Sequence, residues 1–197
     1  MALKAVIFDM DGTLLDVPYD WVRIKEDLQT DGQPILHHIS QLSEPERSRK
    51  WRILEGYEEK ATARAVLMNG VPELLEFLRK RRIKMALVTN NSRQNVDRLL
   101  QRFKLEFDMI LTREQGLWKP SGDAFLRVMR RFKVSPLECC TIGDSLFDLQ
   151  ASRDAGIDCI FMVTRDPEVF RNSGAVICRS IPEIHLGLSE KLEAGPR

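Results

Sequence analysis

The amino-acid sequence predicts an α/β fold in which a doubly wound parallel sheet forms a three-layer core and a small all-helical cap is inserted after the first strand. From about residue 70 onward, apolar strand patterns alternate with amphipathic helical patterns, which is typical of a parallel sheet with helices on both faces. Residues 17–69 interrupt this alternation, because they contain helical patterns and no convincing strand. We therefore predict a core of residues 1–16 and 70–197 and a cap of residues 17–69.

The first strand and the cap helices are predicted from short apolar patterns. A largely apolar run over residues 4–8 reads as a buried strand, and it ends at Asp9 and Asp11. The helical stripes of the cap are Trp21, Ile24 and Leu28, then Ile35, Leu36, Ile39 and Leu42, then a longer helix through Tyr57. The segment Ser43-Glu44-Pro45-Glu46 has the pattern of a capping box, so we expect it to open the third helix.

The rest of the chain predicts alternating helices and strands. In order, these are a helix over 71–78, a strand over 84–88, a helix over 93–103 capped by Ser92, a strand over 107–111, a helix over 125–132, a strand over 139–142, a helix over 146–155 closed by Gly156, a strand over 158–163 and a short edge strand over 175–178. Residues 193–197 are expected to form a frayed tail.

The composition limits the partners that the protein can have. Thirty basic and 29 acidic residues leave a formal net charge of +1, which provides no broad field for nucleic acid or an anionic membrane. The four cysteines show neither a disulfide framework nor metal-ligand spacing. No apolar stretch approaches the roughly 20 residues of a membrane helix, and the start shows no signal-peptide pattern. We expect a cytoplasmic protein without nucleic-acid or membrane partners, and the oligomeric state is left open.

Polar side chains follow several of the predicted strands at the point where each strand ends. They are Asp9 and Asp11 after the first strand, Thr89, Asn90 and Asn91 after the second, Lys119 in the loop after the third, and Asp144 and Asp148 after the fourth. Because the carboxyl ends of parallel strands share one edge of a sheet, these residues are expected to converge in space.

The chemistry of this set suits a phosphoryl group held together with a divalent metal. Carboxylate oxygens bind Mg²⁺, and a lysine and a hydroxyl can bind the phosphoryl oxygens as charge moves in the transition state. An aspartate can also act as the nucleophile and form an aspartyl-phosphate. On its own, the pair Asp9 and Asp11 is equally compatible with a polar turn after a buried strand.

Four of these segments, taken in order, resemble the motifs of the haloacid dehalogenase superfamily. They are Asp9-Met10-Asp11-Gly12-Thr13-Leu14-Leu15-Asp16, Thr89, Lys119-Pro120 and Gly143-Asp144-Ser145-Leu146-Phe147-Asp148. The segment over 71–75 and the Ala-Gly pair at 155 and 156 are similar to the phosphoglycolate phosphatase-like branch. The resemblance implies a Rossmann-like core and a Mg²⁺-dependent phosphatase that acts on a small phosphorylated metabolite, through an aspartyl-phosphate intermediate.

The resemblance also implies a role for each matching residue. Asp9 would be the nucleophile, and Asp11 would protonate the leaving oxygen and later activate water. The metal would be held by Asp9, the backbone carbonyl of Asp11 and Asp144, with Asp148 acting from behind these ligands. Thr89 and Lys119 would bind the phosphoryl oxygens, and Asn90 would lie near the transferred group.

Arg93 is a further candidate for substrate binding, and it comes from the residues alone. A cation in the first turn of a helix opposes the helix dipole, so an anion nearby would explain its presence. A plain surface arginine is the competing interpretation.

Other functions remain open at this stage. A sugar-phosphate mutase of the same superfamily would keep both Asp9 and Asp11, although the short insertion favours a more open site and hydrolysis. A non-enzymatic receiver domain or binding module also places aspartates, a hydroxyl and a Lys-Pro pair at one sheet edge. No P-loop and no Gly-x-Ser-x-Gly elbow is present in the sequence.

Overall fold

The computed structural model describes residues 3–193 of the chain. The strands are β1 (Ala5–Phe8), β2 (Leu15–Asp16), β3 (Val66–Leu67), β4 (Lys84–Val88), β5 (Met109–Leu111), β6 (Cys139–Gly143), β7 (Cys159–Val163) and β8 (Val176–Cys178). The α-helices are α1 (Trp21–Leu28), α2 (Ile35–Gln41), α3 (Glu46–Ala63), α4 (Val71–Lys80), α5 (Arg93–Phe103), α6 (Asp123–Phe132), α7 (Leu146–Asp154) and α8 (Ile181–Glu193).

Six of the strands form a parallel sheet in the order β5-β4-β1-β6-β7-β8. The order reverses at β1, which pairs with β4 on one side and β6 on the other. The register places Phe8 opposite both Leu87 and Ile142, so the ends of the three central strands are level. The α/β fold predicted from the sequence is confirmed, and its topological switch point lies where Asp9 leaves β1.

Helices cover both faces of this sheet because the side chains of each strand alternate between them. On one face, Val6 and Phe8 of β1 pack in a core with residues of α4, α5 and α8. On the other face, Ala5 and Ile7 pack with residues of α6 and α7. The result is the three-layer arrangement, with the carboxyl ends of the strands left open to the polar loops.

The helices α1, α2 and α3 lie between β2 and β3 and have an apolar cluster of their own. It consists of Ile24, Leu28, Leu36, Ile39 and Leu54, with Trp51, Tyr57 and Trp118 packed around it. Trp118 belongs to the loop before Lys119, so this cluster touches the core next to the strand ends.

The structure differs from the sequence prediction in several elements. Residues 17–69 do contain a strand, β3, which pairs antiparallel with β2 through Leu15 and Leu67. The helix α8 was not predicted, and it packs on the sheet through Ile184 and Leu188. Of the predicted tail, Glu193 ends α8 and residues 194–197 lie outside the described part of the chain.

The predicted capping box at the start of α3 is wrong. The helix begins after Pro45, which makes no side-chain cap. Instead, the carboxylate of Glu44 accepts hydrogen bonds from the backbone N–H of Ser48 at 3.2 Å and from its hydroxyl at 2.6 Å. Proline has no side-chain oxygen that could accept from the first-turn N–H groups, so the residue before it provides the cap.

Within residues 3–193, none of the helices is both long enough and apolar enough to cross a membrane.

Candidate active site

Asp9 and Lys119 form a buried ion pair at the carboxyl end of β1. The backbone N–H of Asp9 donates to the carbonyl of Ile142 at 2.9 Å, which continues the sheet by one residue and fixes the carboxylate at the edge. Lys119 Nζ donates to Asp9 Oδ1 at 2.5 Å and to Asp148 Oδ1 at 2.6 Å. Both partners in the pair are less than a tenth exposed, so water screens their interaction poorly.

Asp148 supports the Asp9–Lys119 pair from the first turn of α7. Its Oδ2 accepts hydrogen bonds from the backbone N–H of Ser145 at 3.0 Å and from the Ser145 hydroxyl at 2.5 Å, in a capping box that opens α7. Both carboxylate oxygens are therefore engaged, one by the helix end and one by Lys119. Gly143 leaves the room for this arrangement, because a Cβ at that position would overlap the Asp148 side chain.

Asp144 completes a group of three carboxylates. One oxygen from each of Asp9, Asp144 and Asp148 lies within 4.8 Å of the others. Gly12 has a φ of +83° and approaches Asp144 so closely that a Cβ there would overlap its carboxylate. Burial raises the pKa of Asp144 to about 8, and the charges of Asp9 and Asp148 act in the same direction.

This group fits a hard divalent cation. It presents oxygen ligands of the type that Mg²⁺ prefers, and one ammonium, that of Lys119, faces Asp9 and Asp148. Burial likewise raises the pKa of Asp9 to about 6, although Lys119 opposes the shift. Burial lowers the pKa of Lys119, but the charges of Asp148 and Asp9 outweigh it and the pKa is raised. Burial and mutual repulsion therefore disfavour the charged forms of these acids more than a single lysine offsets, and a bound cation would favour the charged forms.

Asp11 is set apart from these carboxylates by its own partner. Its Oδ2 accepts a hydrogen bond from Asn91 Nδ2 at 3.0 Å, while its Oδ1 is buried and has no hydrogen-bond partner among the described residues. Burial and the charge of Asp9 raise the pKa of Asp11 to about 7, although the Asn91 hydrogen bond lowers it. A carboxyl group with this pKa can hold a proton near neutral pH and also release it.

Thr89 and Asn90 follow β4, beside β1. The Thr89 hydroxyl is buried and accepts a hydrogen bond from the backbone N–H of Asn91 at 3.1 Å. The Asn90 side chain binds the backbone of Lys119 twice: its Oδ1 accepts from the Lys119 N–H, and its Nδ2 donates to the Lys119 carbonyl, both at 3.0 Å. The amide of Asn90 therefore fixes the loop that carries the lysine, whereas the residue was expected near the transferred group.

Arg93 does not join the cluster in the described part of the chain. Its guanidinium is half exposed and pairs with Asp97 one turn along α5, with Nε at 2.8 Å from Oδ1. The anion that was expected near this helix end is a residue of the protein itself. Both carboxylate oxygens of Glu114 accept from the Arg93 backbone N–H, at 3.0 and 3.1 Å. The expectation that Arg93 contacts substrate therefore has no support from its position.

A chain of buried polar groups that the sequence did not reveal runs from Asp11 to α3. Asn91 also donates from Nδ2 to the Tyr19 hydroxyl at 3.0 Å, and its Oδ1 accepts from Asn95 Nδ2 at 3.2 Å. Asn95 Nδ2 in turn donates to Glu58 Oε2 of α3 at 3.4 Å. Asn91, the third polar residue after β4, was visible as part of a polar strand end. Nothing in the sequence linked it to Glu58.

The chain of polar groups ends in a second buried ion pair. Arg113 Nη1 donates to Glu58 Oε1 at 2.5 Å, and its guanidinium lies 4.8 Å from the centre of the Trp51 ring. Burial raises the pKa of Glu58 to about 7 even though Arg113 lowers it. Glu58 and Trp51 belong to α3, whereas Arg113 follows β5, so this pair joins the inserted helices to the core beside the aspartates.

Comparison with known proteins agrees with this geometry. Residues 6–162 match the family model of haloacid dehalogenase-like hydrolases. A phosphorylated carbohydrates phosphatase of Thermotoga maritima is 31% identical, with 96% of this chain and 100% of the relative aligned. A haloacid dehalogenase-like hydrolase domain-containing protein of Arabidopsis thaliana is 33% identical over 74% of this chain, which spans 64% of that relative.

Solved structures of the same class support the fold. A hydrolase from Pseudomonas syringae superposes with a TM-score of 0.78 at 23% identity, covering 95% of this chain and 98% of the other. The family match takes in β1 with Asp9, the Lys119 loop and β6 with Asp144, which are the elements that meet at the sheet edge. The chain therefore belongs to the haloacid dehalogenase-like hydrolase family.

Proposed function

We propose that this protein is a Mg²⁺-dependent phosphatase that hydrolyses a phosphate monoester of a small metabolite. The observation that carries the proposal is the buried Asp9–Lys119 ion pair. Asp144 lies in the same cluster of carboxylates as Asp9, and Asp11 has one carboxylate oxygen without a hydrogen-bond partner among the described residues. A nucleophile, a cation for the phosphoryl oxygens and an acid for the leaving group are the three parts that ester hydrolysis needs.

The proposed reaction has two steps. An oxygen of Asp9 attacks phosphorus and forms a P–O bond while the ester P–O bond breaks, and Asp11 gives its proton to the departing oxygen. Asp11, now a carboxylate, takes a proton from water as the water oxygen attacks phosphorus. The bond between phosphorus and Asp9 then breaks, which releases inorganic phosphate and restores both residues.

The other residues position these groups. Lys119, oriented by Asp148 and by the Asn90 hydrogen bonds to its backbone, balances charge on the phosphoryl oxygens. The Thr89 hydroxyl is the proposed second donor to those oxygens. Asp9, Asp144 and the backbone carbonyl of Asp11 would hold Mg²⁺, which supplies positive charge against the phosphoryl group when bound.

We also propose that residues 17–69 form a cap over a core of residues 1–16 and 70–197. The contact between Glu58 and Arg113 supports this division, because it ties α3 to the core next to Asn91 and Asp11. The names of relatives support a small phosphorylated metabolite as substrate. The Thermotoga protein is named for phosphorylated carbohydrates, and a Pseudomonas putida phosphoglycolate phosphatase is 37% identical over 48% of this chain and 36% of that relative. Free cysteines throughout the described chain support a cytoplasmic location.

Release of inorganic phosphate tests the function directly. The full chain is incubated with a panel of sugar phosphates, phosphoglycolate and other phosphomonoesters, with Mg²⁺ and with a chelator. We expect release that requires the metal and is lost in Asp9→Asn, which keeps the shape and removes the nucleophile. The exposed Asp158→Asn is the matched control and should keep full activity.

Two results would contradict the proposal. One is a folded protein that releases no phosphate from any ester, which would favour a binding module. The other is conversion of a sugar phosphate into its isomer without phosphate release, which is the product expected of a mutase.

A further inference from the structure

A cavity with a volume of about 720 Å³ lies among α1, α2 and the start of α3. None of the residues that line it belongs to the aspartate cluster. Its lining includes Lys50 and His38, two side chains that the reaction does not use. The cavity therefore needs an explanation separate from the active site.

Lys50 is a buried ammonium without an acidic partner. Only 4% of the residue is exposed, and Nζ donates to the neutral Gln29 Oε1 at 3.0 Å. Within residues 3–193, no carboxylate lies within ion-pair distance of it. An ammonium has three donors, and a buried charge is costly unless it is paired. Lys50 thus brings positive charge and unused donors to the wall of the cavity.

His38 provides a second group at the same cavity. Its Nε2 is buried and has no hydrogen-bond partner in the described chain. Buried polar atoms are paired in the great majority of cases, so an unpaired nitrogen that lines the same cavity as an ammonium with one hydrogen bond and no counter-charge indicates a missing partner. An anionic oxygen would satisfy both groups, because it accepts from Lys50 and, in the appropriate tautomer, from His38.

Acidic side chains limit which anion fits. Glu26, Asp31 and Glu46 also line the cavity, together with one further cation, Lys25, and all four side chains are exposed. The three carboxylates would repel a polyanion or a doubly charged phosphate group more strongly than a single carboxylate, and Lys25 offsets only one of their charges. We propose that the cap contains a binding site for a small carboxylate, with the carboxylate oxygens on Lys50 and His38.

The test uses the ¹⁵N-labelled full chain and two probes, acetate and inorganic phosphate, each titrated at constant pH and ionic strength. Acetate should cause saturable shifts of the backbone amides of Gln29, Thr30 and Lys50. Lys50→Met keeps the length of the side chain and removes its charge, and it should weaken acetate binding on the order of tenfold or more. Lys60→Met, on the exposed side of the same helix, is the matched control and should bind as the wild type does.

Each other outcome overturns the proposal. Shifts that grow linearly with acetate would show that no site exists, and equal affinity in Lys50→Met would show that the ammonium is not the ligand. Saturation by phosphate but not by acetate at these three amides would overturn the assignment to a carboxylate. If Lys50→Met fails to fold, His38→Phe makes the same test, because it removes the second ligand and retains a ring; unchanged affinity there also contradicts the site.

Discussion

Replacing Asn91 with alanine should impair the acid step more than any other step. Asn91 Nδ2 is the hydrogen-bond donor to Asp11, at 3.0 Å, and Asn91 itself is buried. A hydrogen bond to a charged group contributes roughly 1.5–3 kcal/mol, so its loss from the orientation of Asp11 corresponds to roughly ten- to hundredfold in kcat. That loss applies only where the leaving group needs a proton.

The assay compares two substrates of the same enzyme. An alkyl phosphate needs the proton from Asp11, whereas 4-nitrophenolate leaves without one, so kcat for 4-nitrophenyl phosphate should fall little. Gln94→Ala removes an exposed amide three residues further along the chain, in α5, and is the control for both substrates. Thermal unfolding of each variant separates a catalytic effect from loss of fold.

The dependence on pH gives a second measure of the same change. Burial and the charge of Asp9 raise the pKa of Asp11 to about 7, and the Asn91 hydrogen bond lowers it. Without Asn91 the pKa rises further, so Asp11 keeps its proton to higher pH and the alkaline fall in kcat should move upward. Equal losses on both substrates, together with an unmoved alkaline limb, would refute the assignment of Asn91 to Asp11.

Three further changes have defined outcomes. The pKa of Glu58 is raised from 4.5 to about 7 in the folded protein, so the folded state binds this proton more tightly than the unfolded state does. The free energy of unfolding should therefore fall as the pH rises from about 4.5 to about 7. In urea titrations, Glu58→Gln should reduce this dependence of stability on pH. Gly12→Ala places a Cβ against the Asp144 carboxylate and should weaken Mg²⁺ binding, measured by calorimetry, whereas Gly32→Ala has a similar φ of +82° with open space around it and should only lower stability. Arg93→Ala should leave kcat and KM unchanged, and a large rise in KM would show that the arginine does reach substrate.

The residues that the sequence placed correctly at the sheet edge are those governed by one topological rule. Asp9, Lys119, Asp144 and Asp148 each follow a strand, and the carboxyl ends of parallel strands meet, so alternating patterns were enough to predict their convergence. Ser92 likewise caps α5 by accepting from the backbone N–H of Asn95, as its position before the helical stripe predicted.

The features that could not be predicted depend on contacts between distant segments. Strands β2 and β3 have two residues each, too few for any periodicity to show. Helix α8 contains Gly187, which weakens its helical pattern, yet that position lies so close to Phe161 that a Cβ would come within 2.9 Å of the ring. The contact of Glu58 with Arg113 joins residues 55 positions apart, and neither residue type signals burial on its own.

The double hydrogen bond between Asn90 and the backbone of Lys119 also bears on how far this enzyme can be re-engineered. It fastens the end of β4 to the loop before α6, as a cross-link would, without any covalent bond. Residues 112–118 therefore span two fixed points, β5 at one end and the lysine at the other. Grafts of longer loops from relatives should be accepted only if the added length bulges outward, because the backbone of Lys119 is held by Asn90 at the end of β4.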